Sequence, residues 1–145
     1  MTKPSSNKTT NRLFLAFALS AVLLSAGCAN NEKGEISSQL LLDKTNVTVL
    51  GKNFNYPVTN NPEVTSSVIT LPPGVETGLH LHEAPMYAYI LEGTVDVTYS
   101  VNGVDETKTY KKGEAIMEGL DTPHNGVNNT NSVVRILVVN IGSPD

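Results

Sequence analysis

Pro72-Pro-Gly-Val-Glu-Thr-Gly-Leu-His80-Leu-His82-Glu-Ala-Pro-Met86-Tyr-Ala-Tyr-Ile-Leu-Glu92-Gly93 is the stretch on which the fold turns. Pro72-Pro73-Gly74 punctuates the chain as a turn. Met86 to Leu91 reads as a strand rich in aromatic and aliphatic residues, stopped by Glu92-Gly93. His80 and His82 lie between, in an extended segment. Successive side chains of an extended chain alternate faces, so both imidazoles point one way with Leu81 opposite. Two imidazoles side by side suit a divalent cation and do not suit an empty apolar interior. A lone His-X-His is nevertheless common on surfaces, and the weight of the pair depends on its surroundings.

Outward from this stretch the chain reads as strand and turn. Thr94 to Val101 alternates, with Val95, Val97, Tyr99 and Val101 on one face. Asn102-Gly103 then signals a type I′ hairpin turn. The return strand, Val104 to Tyr110, is polar enough to be an exposed edge. Lys112-Gly113 is another turn, followed by a short run from Glu114 to Met117. Upstream, Val47 to Leu50 and Val64 to Leu71 read as strands. Val133 to Ile141 is nearly continuous in apolar residues and is expected deep in the core. No stretch from Ile36 onward shows a 3.6-residue apolar period. Short strands with turns about every ten residues define an all-β sandwich or barrel.

Composition agrees. The chain has 145 residues, 39% hydrophobic and 17% charged, enough for one domain. Eleven Gly, eight Pro and no Trp suit a turn-rich β protein. A net charge of −4 excludes a polybasic nucleic-acid binder. One cysteine can form neither an internal disulfide nor a thiolate zinc cluster. Imidazole chemistry must come from the three histidines, His80, His82 and His124.

The spacing of these residues resembles the two signature motifs of the cupin superfamily, small jelly-roll (double-stranded β-helix) barrels. Gly74, five residues, His80-X-His82 and the closing Gly93 form the first motif; Gly113, His124 and Asn128 mark the second. The likeness covers roughly residues 60 to 142. It implies that His80, His82 and His124 are metal ligands at the barrel mouth, holding iron, manganese, copper, nickel or zinc. Cupins often pair edge strands into homodimers, and the polar return strand neither invites nor forbids this. Two departures stand out. The acidic ligand usual in the first motif is replaced by Met86, and the Pro and Gly usual in the second are Gly119 and Asp121.

Met86 is read either as a soft thioether ligand, which would favour copper, or as plain core packing. Glu83 is the nearest carboxylate, but strand parity turns it away from His82, as a solvated loop charge. Tyr87 and Tyr89 share the face opposite Met86, Ala88 and Ile90 and brace the outer layer. Glu118 and Asp121 are candidates to orient the His124 ring, with exposed turn carboxylates as the plainer reading.

The first segment reads as an address. Lys3, Lys8 and Arg12 precede the apolar run Leu13 to Leu24, and Ser25-Ala26-Gly27 leads into Cys28. Twelve residues of helix rise only about 18 Å, short of a ~30 Å hydrocarbon core. The layout is that of a signal peptide over 1–27. It resembles a bacterial lipobox, with Ser25 where Leu is usual, which implies acylation of Cys28 with palmitate-type chains. Residues 28–35 form a lipidated tether and 36–145 the cupin domain. Ala29 after the cysteine implies outer-membrane sorting, with the domain in the periplasm. Cleavage removes three of ten basic residues and none of fourteen acidic ones, leaving −7 over 118 residues. So acidic a domain needs a covalent anchor, not electrostatics, to stay at an anionic membrane.

Three functional readings follow. Three histidines leave coordination positions open for a small molecule and for dioxygen or water, as in a mononuclear metal enzyme of oxygenase or isomerase type. The absent carboxylate favours instead a non-catalytic module binding a metal or small ligand. A metal-free docking protein is the third, and the survival of all three imidazoles speaks against it. No general acid or base is visibly spaced for catalysis.

Overall fold

Residues 36–142 are described by a computed structural model; the expected signal peptide, Cys28 and the tether lie outside the described residues. Seven strands carry the fold: β1 (Glu63–Leu71), β2 (Met86–Glu92), β3 (Thr94–Val101), β4 (Val104–Lys111), β5 (Ala115–Met117), β6 (His124–Val127) and β7 (Val134–Gly142). They form two antiparallel sheets, ordered β1-β7-β2-β5 and β4-β3-β6. No helix occurs among the described residues. The all-β expectation holds, and with it the jelly-roll architecture.

The turns form for the reasons their residues supply. Val75 N–H donates to the Pro72 carbonyl at 3.1 Å around Pro73-Gly74, with Gly74 at φ +75°, the geometry of a type II turn. Asn102 and Gly103 both have positive φ, 53° and 79°, as a type I′ hairpin requires. Gly93 carries β2 from one sheet into β3 of the other at φ +79°; a Cβ there would lie 2.6 Å from the Val133 carbonyl oxygen. Position 93 therefore admits only glycine without backbone movement.

Inward-facing alternation builds the core. Ala88, Ile90, Ile116, Ile136 and Val138 from the first sheet face Val95, Val97, Tyr99 and Tyr110 from the second. Fully burying an aliphatic side chain of this size is worth about 1.5–3 kcal/mol, so the apolar cluster dominates the stabilisation. As expected, β4 is the polar edge of its sheet.

Two expectations need correction, and one strand is new. Val47 to Leu50 is no strand: it makes one bridge, Val47 to Asn53, within a tight turn closed by Thr48 and Lys52. Its β-branched residues serve a loop whose Val49 N–H pins it to the Met117 carbonyl at 2.9 Å. β7 is not deep in the core throughout. Val134, Ile136 and Val138 face inward, whereas Leu137, Val139 and Ile141 are only half-buried on the outer face, where Leu42, Phe54 and Tyr56 lie alongside. Finally, His124-Asn-Gly-Val127 forms β6, which its composition does not announce.

Candidate metal centre

His80 and His124 belong to adjacent extended segments paired as an antiparallel bridge, each N–H donating to the other's carbonyl at 3.0 and 2.8 Å. This brings together residues 44 apart in sequence. His82, two residues along, projects to the same side, and the Asp121 N–H donates to its carbonyl at 2.8 Å. Ring centroids lie 4.5 Å (His80–His124), 4.9 Å (His82–His124) and 5.0 Å (His80–His82) apart. One nitrogen from each ring lies within 4.8 Å of the other two. Metal–imidazole bonds of about 2.1 Å are thus reached by small ring rotations.

The hydrogen bonds select the nitrogens. His80 Nδ1 bonds the Gly78 carbonyl and His124 Nδ1 the Thr122 carbonyl, both at 2.8 Å. A carbonyl only accepts, so each Nδ1 carries a proton; in the neutral imidazole the lone pair is then on Nε2, the tautomer of a ligating imidazole. His82 Nε2 is buried with no hydrogen-bond partner among the described residues. An orphaned buried polar atom is costly, and an ion at this point would satisfy it. Burial, followed by the neighbouring His124 and His80, pushes the His82 imidazole down to about 4, so it is neutral and able to ligate at neutral pH. The residues present therefore fit a divalent transition metal.

The trio opens onto a cavity of about 50 Å³ lined by Met86, Ala88, Val95, Val97, Ile136 and Glu118 among others. Such a volume holds a few waters or one small molecule. His80 is half-buried at its rim and His124 is buried.

The other candidates separate cleanly. Met86 is buried and lines the cavity with the three imidazoles. Glu83 is exposed, as parity indicated, and Asp121 is an exposed turn residue at φ +48°. Tyr87 lies on the outer face with Met117 and Val139. Asn128, fully buried, is a clamp: its Nδ2 donates to the Leu71 and Ser132 carbonyls at 2.9 and 2.7 Å, and its Oδ1 accepts from Thr130.

Glu118 is where the sequence reading falls short. It neither orients His124, whose Nδ1 is taken by Thr122, nor sits in solvent. It is buried, and its Oε1 accepts from the Tyr99 hydroxyl and from the Gly119 N–H at 2.9 Å. The Tyr99 ring stacks 5.4 Å from His124, and burial, then the Glu118 charge, hold its phenol far above the usual range, hence a donor. Gly119 makes room for that ring: a Cβ would lie 3.2 Å from it. Strand parity carried the signal, since Ile116 faces inward and Glu118 is two residues on.

The fold and a histidine trio at the mouth of a jelly-roll define a cupin. The cupin domain family matches residues 67–140, and the chain belongs to that family. Solved structures of similar fold include a Bacillus halodurans protein (18% identity, 57% of this chain and 64% of that one, TM-score 0.50). An oxalate decarboxylase of Bacillus subtilis with Mn(II) centres is 23% identical over 68% of this chain and 25% of its own length (TM-score 0.51). A cupin domain from Bordetella pertussis is 19% identical over 61% of this chain and 91% of that one (TM-score 0.48). The chain thus spans only about a quarter of the decarboxylase. No curated protein matches it.

Proposed function

We propose that this chain is a lipid-anchored cupin of the bacterial envelope whose His80, His82 and His124 hold one divalent transition metal that engages a small molecule. The observation that carries this reading is the buried His82 Nε2, without a hydrogen-bond partner among the described residues, beside two imidazoles whose Nδ1 atoms are already committed. Three protein ligands leave positions for water or a small molecule, and the ion would supply Lewis-acid or redox chemistry there. The chain's own residues do the rest: two backbone carbonyls fix the tautomers, and apolar walls exclude bulk water. The enclosed part of the cavity, about 50 Å³, takes only a few heavy atoms of such a ligand. Oxygenase or isomerase chemistry is the catalytic form of this reading. The second reading, a non-catalytic binding module, is favoured by Met86 standing where the cupin pattern has an acidic ligand.

The anchor is Cys28, placed after the apolar run of 13–24 and Ser25-Ala26-Gly27. It would tether the −7 domain on the periplasmic side of the outer membrane through residues 28–35. Metal analysis of the full chain purified without chelating resin tests the centre: about one equivalent in wild type and none in His80→Ala is expected. An equal content in both overturns it. Oxygen uptake or turnover on a small-molecule panel, lost in His80→Ala, separates enzyme from binding module. Palmitate labelling lost in Cys28→Ala tests the anchor.

A further inference from the structure

Glu118 and Met86 are cross-strand neighbours. β2 and β5 pair with Tyr87 opposite Met117, and one step further the Glu118 N–H donates to the Met86 carbonyl at 2.9 Å. Both side chains are 7% exposed, and both line the cavity that the three imidazoles share. Glu118 is the single carboxylate among the described residues that line it.

Among the described residues this carboxylate has no cationic partner. The one salt bridge among the described residues joins Lys108 and Glu106 at the surface. Oε1 is held by the Tyr99 hydroxyl and the Gly119 N–H, while Oε2 makes no hydrogen bond among the described residues. A buried anion without counter-charge is expensive. The trio has the complementary deficit, because three neutral imidazoles offset none of the charge of a divalent cation. Each group supplies what the other lacks.

We infer that Glu118, from the strand beside Met86, provides the anionic charge for a divalent ion held on His80, His82 and His124. The inference rests on the metal reading above and deepens it. The geometry makes Glu118 a charge-compensating neighbour, since its oxygens are not grouped with the three ring nitrogens. Its pairing with Tyr99 and Gly119 fixes one oxygen and leaves the other without a hydrogen bond among the described residues.

The test uses full-length protein, stripped of metal and titrated with Mn(II) and Co(II) against a chromophoric chelator. Glu118→Gln is the informative variant, because its amide oxygen still accepts from Tyr99 and Gly119. We expect its affinity for both ions to fall about 10- to 100-fold, the range for residues supporting a metal site. Its metal-free melting temperature should be unchanged or higher, because an uncompensated buried charge is gone. In Met86→Glu/Glu118→Gln, which moves the carboxylate across the strand pair, most of the affinity should return. A purely structural Glu118 would do the opposite, lowering the metal-free melting temperature with affinity intact, and that result overturns the inference. If wild type binds and His80→Ala does not, equal affinity of wild type and Glu118→Gln overturns this inference alone. If wild type binds neither ion, the metal reading falls and takes the inference with it.

Discussion

His80 and His124 are hydrogen-bonded to one another through their backbones, and the same pairing sets their rings 4.5 Å apart. Rigid main-chain bonds thus place two of the three ring nitrogens, leaving only side-chain rotations to adjust. Backbone pairing between β6 and the segment that carries His80 pre-organises the site.

Thermal melting should reveal this. At a metal concentration 100 times the dissociation constant, binding stabilises by about 2.7 kcal/mol, which raises the melting temperature of a domain this size by roughly 10 °C or more. His124→Ala should abolish the rise. Differential scanning fluorimetry with and without Mn(II) or Co(II) checks both.

The metal-free protein should lose stability on mild acidification. His82 has a folded value near 4 against 6.5 unfolded, so between these limits the unfolded chain binds more protons. Stability therefore rises with pH through this window and falls as pH drops from 6.5 towards 4. The expected loss, discounted for partial exposure, is about 2 kcal/mol. Urea melts of wild type and His82→Gln across the window check it; the variant should show a flatter profile.

Gly93→Ala should be severe and Gly103→Ala mild. Both have φ +79°, but a Cβ at Gly93 meets the Val133 carbonyl at 2.6 Å, while at Gly103 nothing lies within 4 Å. Backbone strain alone costs about 1–2 kcal/mol; the added clash should bring Gly93→Ala above roughly 3 kcal/mol. Denaturant unfolding of the two variants measures the difference.

Asn128→Ala should destabilise by about 2–4 kcal/mol, because it strands the buried Leu71 carbonyl, removes a second hydrogen bond to the Ser132 carbonyl, and leaves the Thr130 N–H and hydroxyl without the Asn128 acceptor. Metal stoichiometry in the folded fraction should remain that of wild type, since Asn128 contributes no ligand. Chemical melts and metal analysis on the same preparation read both quantities.

Much of this molecule was legible in one dimension. Thr94–Val101 and the Asn102-Gly103 hairpin follow from strict alternation and from a dipeptide that tolerates positive φ. His80 and His82 share a side because an extended chain has period two. What stayed hidden depends on pairing across the sheets. β6 is built from His124, Asn125, Gly126 and Val127, of which only Val127 favours a strand, and it is held by its neighbours. Val47 to Leu50 alternates like a strand but turns at Gly51, because Thr48 and Lys52 hydrogen-bond across it. Glu118 looks like a turn carboxylate until the register of β2 and β5 sets it beside Met86.

The central claim is that three ring nitrogens meet on one ion. Pulsed electron paramagnetic resonance of the full chain loaded with one equivalent of Cu(II) addresses it directly, because coordinated imidazoles couple their remote nitrogens to the electron spin. Coupling to three histidines, reduced to two in each of His80→Ala, His82→Ala and His124→Ala, is the predicted result. A wild-type spectrum showing one histidine or none, or one that any of these substitutions leaves unaltered, would contradict it.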